Sequence, residues 1–436
     1  MSKIRKVLIY LLLLLNLGII VYYWLKASPG LLLDSSSALS GLGRLFGLLA
    51  AFFTLTQIIL IGRSPWIEKL FGLDKLTNIH RLNGYLVFFL IILHPVFLVI
   101  SASSFTQLNF FNQFGQFLET KSLLLAAIAT AIFIAIVFLS IYIVRSKMRY
   151  ETWYYIHLLT YIAIALAFFH QVEFGTTITS SDLFQKYWYA LYIFSFGNLI
   201  IFHWLMPYIN FARFNFRITQ IVAETENANS VVISGKNLSN WPGRPGQFIT
   251  IRFLAKGFWW QSHPFSLSTK PDGQKIRITI KALGDFTKQI PKLKAGTRVI
   301  IGGPFGTFTS AEAGTKYLFI AGGVGITPIR SLIEEVAPNQ DIALIYSNKN
   351  SEQPIFQNEL NQISKQYNFP IHYISTVETD PSTRLNSKML KDLVPDFQER
   401  EIYLCGPVPM SKRVIKILTQ ELNYPKSKIR FEKFAY

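Results

Sequence analysis

The chain has 436 residues, about three domains' worth at about 150 residues each, and half of it is hydrophobic, with 37 Phe. Only 16% of the residues are charged, yet the formal net charge is +18. That combination excludes a disordered chain and argues against a nucleic-acid binder, whose positive charge comes with a polar surface. A single cysteine, Cys405, excludes an internal disulfide, a four-thiolate iron–sulfur cluster and a CxxCH attachment site.

The apolar residues fall in the first half. Six segments of the length that crosses a bilayer core, about 20 residues, lie at Val7–Leu25, Leu42–Gly62, His80–Ile100, Leu123–Val144, Trp153–Gln171 and Tyr187–Pro207. The first follows Lys3, Arg5 and Lys6 as a signal peptide would. However, it is long, ends in Tyr22, Tyr23 and Trp24 and lacks a small-residue cleavage site, so it reads as an uncleaved span. Basic residues at the N-terminus, at Arg63, Lys69, Lys75 and Arg81, and at Arg145, Lys147 and Arg149 lie on one side. Lys26, Lys121 and Lys186 lie on the other. Ten against three predicts a cytoplasmic N-terminus and, after six spans, a return to the cytoplasm near Asn210. The expected location is the plasma (inner) membrane, with both termini cytoplasmic.

Four of the seven histidines sit in two of these spans, His80 and His94 in the third, His157 and His170 in the fifth. Ionisable groups at membrane depth are costly and usually functional. Separations of 14 and 13 residues correspond to about 20 Å along a helix, and both spans run outward, so the four form two pairs at two depths. Bis-imidazole ligation of two haems, His80 with His157 and His94 with His170, fits that arrangement. Fourteen residues return to within about 40° of one face but thirteen miss by about 140°, which calls for a distorted fifth helix or differently rolled haems. The alternative for any one of them is a histidine bonded to a neighbouring helix; His203 and His372 are read that way, as structural. Arg44, just inside the outer end of the second span, could pair with haem propionates or hold an anionic product, or could snorkel to the interface.

From Phe211 onward the pattern changes to short strands at Ser230–Ser234, Gln247–Phe253, Ile276–Ala282 and Arg298–Ile301. A strand–loop–helix rhythm then runs to Glu421. This predicts a β-barrel followed by an α/β nucleotide-binding domain. His263-Pro264-Phe265-Ser266-Leu267-Ser268 follows a strand and could stack on a flat ring and hydrogen-bond its edge. Ala282-Leu283-Gly284-Asp285-Phe286-Thr287 opens a helix whose N-terminus could face a pyrophosphate. A surface turn would explain either piece alone. Gly302-Gly303-Pro304-Phe305-Gly306 reads as a structural tight turn. Ala321-Gly322-Gly323-Val324-Gly325-Ile326-Thr327-Pro328 stands between a strand and a helix, the setting of a dinucleotide-binding turn, though it is not GxGxxG. Ser347 and Lys349 at the next strand tip, with Arg384, suit a 2′-phosphate and so favour NADPH over NADH. Leu404-Cys405-Gly406-Pro407 could place Cys405 at the nicotinamide, or Cys405 could be a small packing residue.

These motifs, in this order and over nearly the whole chain, together with the closing Phe431-Glu432-Lys433-Phe434-Ala435-Tyr436, resemble the NADPH oxidase and ferric reductase superfamily of transmembrane flavocytochromes b. The resemblance implies a six-helix haem-binding domain (1–210), a ferredoxin-reductase-like FAD barrel (211–312) and an α/β NADPH domain (313–436). It implies that His80, His157, His94 and His170 are axial ligands of two b-type haems. It also implies that His263, Pro264, Phe265, Ser266 and Ser268 contact FAD, with Gly284, Phe286 and Thr287 at its pyrophosphate. Gly322, Gly323, Gly325, Thr327 and Pro328 would take the NADPH pyrophosphate, and Cys405, Gly406 and Pro407 would approach the hydride-transfer site. Phe434 would cover the isoalloxazine, with Tyr436 as its rival. Leu98 stands where the eukaryotic oxidases often carry a further histidine. The segment Val172–Gln185 is short, and no EF-hand precedes the first span, so a compact, constitutive, bacterial-type member without an obligatory protein partner is expected. The implied activity is electron transfer to dioxygen, giving superoxide. A ferric-chelate reductase on the same route is the alternative, and a haem subunit feeding a periplasmic partner a third reading, disfavoured because the chain carries its own reductase.

Overall fold

In the computed structural model the chain forms two units, one of residues 1–70 and 75–202, the other of residues 71–74 and 203–436. The structure describes residues 2–31, 34–141, 147–148, 150–310, 315–349, 352–377 and 379–434.

Among the described residues, six helices are long and apolar enough to cross a membrane: Ile4–Lys26, Ser35–Ile61, Lys75–Thr106, Lys121–Ser140, Thr152–Phe174 and Asp182–Phe214. Hydrocarbon offers the backbone no partners, so these sequences satisfy their amides internally as helices. Asp34 caps the second, its carboxylate accepting from the Ser37 amide at 2.8 Å. Side chains such as Leu11, Leu14 and Leu15 stay more than half exposed, as lipid-facing positions do. The interior of this unit gathers Ile20, Trp24, Leu48, Phe52, Phe184 and Trp188. The sixth helix is longer than its expected span Tyr187–Pro207. It passes through a π-helical turn, Leu199–Leu205, that contains His203 and ends where Asn215 turns left-handed at φ 47°. The expected fourth span, Leu123–Val144, stops as a helix at Ser140, and Arg145 and Arg149 lie outside the described residues.

The second unit has two lobes. In the first, β1 (Arg217–Thr225), β2 (Ala228–Ser234) and β5 (Lys275–Lys281) form one sheet, and β3 (Phe248–Phe253), β4 (His263–Ser266) and β6 (Val299–Phe305) another. Their inner faces enclose one cluster that includes Phe216, Val231, Ile249, Phe253 and Ile278. In the second lobe, β7 (Tyr317–Gly322), β8 (Ile342–Lys349), β9 (Ile371–Thr376), β10 (Glu401–Pro407) and β11 (Ile429–Phe434) form a parallel sheet in the order β11-β10-β7-β8-β9. Two separate clusters, one around Phe319 and Leu332 and one around Ile320 and Leu404, pack against it, so the strands are apolar on both faces as parallel strands are.

Three expectations are corrected here. His263–Ser266 is itself a strand, paired antiparallel to β3 with Phe248 opposite Ser266, because pairing with β3 gives its backbone groups partners that an isolated loop would lack. The segment after Gly284 forms a 3-10 turn, Thr287–Lys292, with Pro291 inside it. Proline cannot donate the amide that would continue an α-helix. Gly302–Phe305 is not a tight turn but the end of β6, paired with β3.

Candidate functional site

The third and fifth membrane helices bring the four histidines together in pairs. The His80 and His157 rings are 6.1 Å apart between centroids, and those of His94 and His170 are 6.0 Å apart. With metal–imidazole bonds of about 2 Å, two rings on opposite sides of one ion lie about 6 Å apart. Among the described residues no three His, Cys, Asp or Glu converge on a metal, so each pair suits a metal whose other donors come with it, as in a haem. The fifth helix stays α-helical over Tyr150–Phe174, and no break in it accompanies the pairing.

The second helix shapes the His94 site. The Gly43 carbonyl accepts from His94 Nδ1 at 2.8 Å, which fixes the tautomer and leaves Nε2 for a ligand, the arrangement typical of metal-bound histidines. Gly47 lies directly behind the ring, where an added Cβ would stand 2.6 Å from His94 Nδ1. Pro95 follows within the same helix and removes one helical hydrogen bond at the ligand's own turn. At the other pair, the His80 carbonyl accepts from Gln57 Nε2 at 2.9 Å. His157 Nδ1 lies 3.5 Å from Ser140 Oγ, at the limit of a hydrogen bond.

The His94–His170 pair borders a cavity of about 420 Å³ with largely apolar walls, which Arg44, Gln171, Phe117 and Leu98 also line. Arg44 is held by Ala27 O and Thr176 Oγ1, each at 3.3 Å, and by Ser28 Oγ at 3.0 Å. Its Nε is buried without a partner among the described residues. Gln171 accepts from Trp188 Nε1 and Tyr192 Oη, both at 3.0 Å. Gly47, Pro95 and Gln171 escaped the sequence reading, since none belongs to a residue type that ligates a metal; the signal was a glycine facing a histidine across a helix pair. An alanine at Gly47 is expected to push His94 off its position. With one haem held at each pair, reduced-minus-oxidised difference spectra should then show about half the haem per protein, while Gly18→Ala, where nothing lies within 4 Å, should leave the content unchanged.

In the second unit, Ser266 is buried and Pro264 exposed, and the His263 ring lies 4.0 Å from that of Phe286. Phe265 packs partly against the barrel core. Ser268 is fully buried, and its carbonyl and hydroxyl accept from Arg330 and Thr279; it faces the other lobe. The amides of Leu283 and Gly284 both donate to Thr287 Oγ1 at 2.9 Å, so this turn holds its own amides, while the Cα of Gly284 faces open space.

The glycine turn sits at the carboxyl end of β7, the end at which ligands bind open parallel sheets. Its glycines differ in purpose. A Cβ at Gly325 would stand 2.3 Å from the Cys405 carbonyl oxygen, and one at Gly322 2.2 Å from Met410 Sδ. Gly323, at φ 53°, has nothing within 4 Å of its Cβ position, so the chain's open side is there, where a pyrophosphate can approach closely. The buried Tyr346 hydroxyl donates to the Gly323 carbonyl at 3.1 Å and accepts from the Ile355 amide; burial raises the phenol well above its ordinary value. Thr327 and Pro328 are buried, and the Thr327 hydroxyl donates to the Val324 carbonyl at 3.0 Å. Ser347 is the register partner of Gly322 and Lys349 that of Thr376. Thr383 Oγ1 accepts from the Val377 amide, which brings Arg384 to the same edge. Cys405 lies beside Ala321, its side chain fully buried in the apolar cluster, which supports the packing alternative; its carbonyl instead seats Gly325. Gly406 adjoins Gly322, and Pro407 is the register partner of Phe434. The Phe434 side chain and all of Tyr436 lie outside the described residues.

Residues 46–168 match the family described as ferric reductase like transmembrane component, residues 213–309 an FAD-binding domain and residues 319–416 an oxidoreductase NAD-binding domain. The chain is thus a multi-pass integral membrane protein with an FAD-binding and an NAD-binding domain. Its architecture is that of the NADPH oxidase/ferric reductase flavocytochrome superfamily. Flavohemoprotein A of Dictyostelium discoideum is 29% identical over 44% of this chain and 52% of its own. The glycine betaine monooxygenase reductase subunit of Pseudomonas aeruginosa is 30% identical over 50% and 63%. The chain therefore spans between half and two thirds of these relatives. Among solved structures, the flavohem-like FAD/NAD-binding domain of the Vibrio cholerae nitric oxide dioxygenase is 22% identical. It covers 50% of this chain and 97% of its own, with a TM-score of 0.44.

Proposed function

We propose that the protein transfers electrons from cytosolic NADPH, via FAD and two b haems, across the plasma membrane to dioxygen at the outer face. The balance is one NADPH and two dioxygen consumed, with NADP⁺, one proton and two superoxide ions formed. The observation that carries the reading is the pair of 6 Å histidine couples in one membrane unit, beside a chain that carries its own FAD- and NAD-binding domains. The domain limits we propose are 1–210, 211–312 and 313–436.

Bound FAD would supply the change from a two-electron donor to single-electron steps, and the haems would carry those electrons singly. The residues' part is to hold and orient. His80 with His157 and His94 with His170 would hold the haems, and the Gly43 carbonyl keeps Nε2 of His94 free for a ligand. His263, Pro264, Phe265 and Ser266 would face the flavin, Gly284, Phe286 and Thr287 its pyrophosphate, and Phe434 or Tyr436 its ring. Gly322, Gly323 and Gly325 with Thr327 and Pro328 would shape the NADPH turn, while Ser347, Lys349 and Arg384 would meet the 2′-phosphate. Arg44 is the cation nearest to hand at the cavity, where developing negative charge on the acceptor would be stabilised. A ferric chelate as acceptor on the same electron route is the second reading.

The purified protein given NADPH should reduce cytochrome c in a superoxide-dismutase-sensitive manner and faster than it reduces ferric chelates. NADPH consumption with ferric reduction and no dismutase-sensitive signal would transfer the assignment to the ferric reading.

A further inference from the structure

A closed network of ions and hydroxyls joins the two lobes of the second unit, between the motifs read as the flavin and nicotinamide sites. Arg330, on the Ile326–Val336 helix that the glycine turn opens, is 6% exposed. Its Nη1 donates to the Ser268 carbonyl at 2.7 Å and its Nε to Glu359 Oε2 at 2.7 Å. Glu359, in the first turn of the Gln357–Tyr367 helix, also accepts from both terminal nitrogens of Arg277 on β5, at 2.9 and 3.1 Å. Arg277 continues to Glu224 at 2.7 Å and to Ser230 Oγ at 2.9 Å. Ser230 and Thr279 are 2.7 Å apart, and Thr279 donates to Ser268 Oγ at 2.9 Å, which closes the ring.

Two further features show that the network is held in one geometry. Both guanidinium groups lie over the buried Phe356 ring, 4.7 and 5.4 Å from its centroid, close enough for cation–π attraction. Phe356 itself sits at φ 63°, a conformation a bulky residue keeps only where its surroundings over-determine it. Burial would raise the Glu359 carboxyl, but the hydrogen bond from Arg277 and the charges of Arg330 and Arg277 outweigh it and hold it below the ordinary carboxylate range. Arg330 also meets Glu334, whose carboxylate accepts from the Lys270 amide at 2.8 Å.

A largely buried ionic ring contributes little net stability, because desolvation offsets its attraction. Its separate capacity is to fix register. Ser268 stands two residues beyond Ser266, and Arg330 five residues beyond Gly325, so the ring ties the two motifs through short, rigid pieces of chain. We propose that Arg330, Glu359 and Arg277 are positioning residues for hydride transfer, which lock the glycine turn of the nicotinamide lobe at reacting distance from the flavin-side strand β4. This rests on the proposed NADPH and FAD sites. In the step concerned NADPH would give up its C4 hydrogen with both electrons of that C–H bond as hydride, the flavin would take them in a new N–H bond, and NADP⁺ would remain.

The test is anaerobic rapid mixing of the full-length, cofactor-loaded protein with NADPH, following flavin absorbance, together with equilibrium titration of NADP⁺. Arg330→Met should lower the limiting rate of flavin reduction by about 100-fold, as a displacement near 1 Å can. The NADP⁺ dissociation constant should change less than about threefold, and the charge-transfer absorbance of NADP⁺ with reduced flavin should weaken. Glu359→Gln, which keeps the shape, should give the same split with a smaller loss, and it serves also if Arg330→Met does not retain flavin. The double variant should be no slower than Arg330→Met alone, since both act through one ring. An unchanged limiting rate in flavin-replete variants, or a loss confined to NADP⁺ affinity or melting temperature, would overturn the proposal. Failure of the unsubstituted protein to bleach its flavin with NADPH would overturn the NADPH reading itself, and the proposal with it.

Discussion

Replacing His94 by alanine is expected to halve the haem content and to stop delivery of electrons to an external acceptor. The His94 ring has one defined partner, the Gly43 carbonyl, and one facing ring, His170 at 6.0 Å. Removing it would leave His170 as the one imidazole to hold a haem there, beside a cavity with largely apolar walls that offers no replacement of equal basicity. NADPH-driven acceptor reduction should fall by at least about 100-fold, equivalent to about 2.7 kcal/mol of barrier. The His80–His157 pair, about 20 Å away along the helices, should keep its spectrum and remain reducible. Haem quantification and low-temperature difference spectra read this directly; a full two-haem spectrum in the variant would refute the ligand role.

Alanine at Gly325 should have a comparable effect at the other end of the route. Its Cβ would meet the Cys405 carbonyl oxygen at 2.3 Å, the carbonyl carbon at 2.6 Å and the Gly406 Cα at 2.8 Å. All three are backbone atoms of β10, which is hydrogen-bonded on both sides by β7 and β11, so no side-chain rotation relieves the clash. The turn must move away from the sheet, and misplacement by about 1 Å can cost a hydride transfer about 100-fold. NADPH-dependent flavin reduction should fall by that order, while haem reduction by dithionite, which bypasses the turn, stays unchanged. Gly323→Ala is the informative contrast: its Cβ meets no protein atom within 4 Å, so the left-handed φ of 53° opposes it by about 1–2 kcal/mol and any further loss appears as weaker NADP⁺ binding at the turn's open side. Equal rates for Gly325→Ala and the unsubstituted protein would mean that the turn does not bind NADPH.

The membrane half was legible because its signals are long. Twenty apolar residues leave little choice but a helix, and four histidines at matched depths stand out against that background. What the spacing left unsettled was the angular mismatch. The helix over Tyr150–Phe174 carries no break, yet both pairs meet at about 6 Å, so the mismatch is not taken up by a break in the helix. Residues that shape a site by being small were missed, Gly47 above all, because their effect depends on which helix lies opposite. In the second unit the glycine turn was found in its strand–turn–helix setting. The edge elements were harder: β1 has register shifts at Ile218/Gln220 and Ala223/Thr225 that break the alternation by which strands are recognised. Pairing, rather than propensity, makes His263–Ser266 a strand. The Arg330–Glu359–Arg277 ring could not be seen at all, because its members are separated by tens of residues and look like solvated surface charges.

Sidedness tests the central claim most directly. The protein is reconstituted in sealed vesicles with cytochrome c trapped inside, and NADPH is added outside, where only outward-facing soluble domains can use it. Transmembrane transfer to dioxygen predicts reduction of the enclosed cytochrome c, abolished by enclosed superoxide dismutase and by His94→Ala. Reduction confined to acceptors on the same side as NADPH would contradict it.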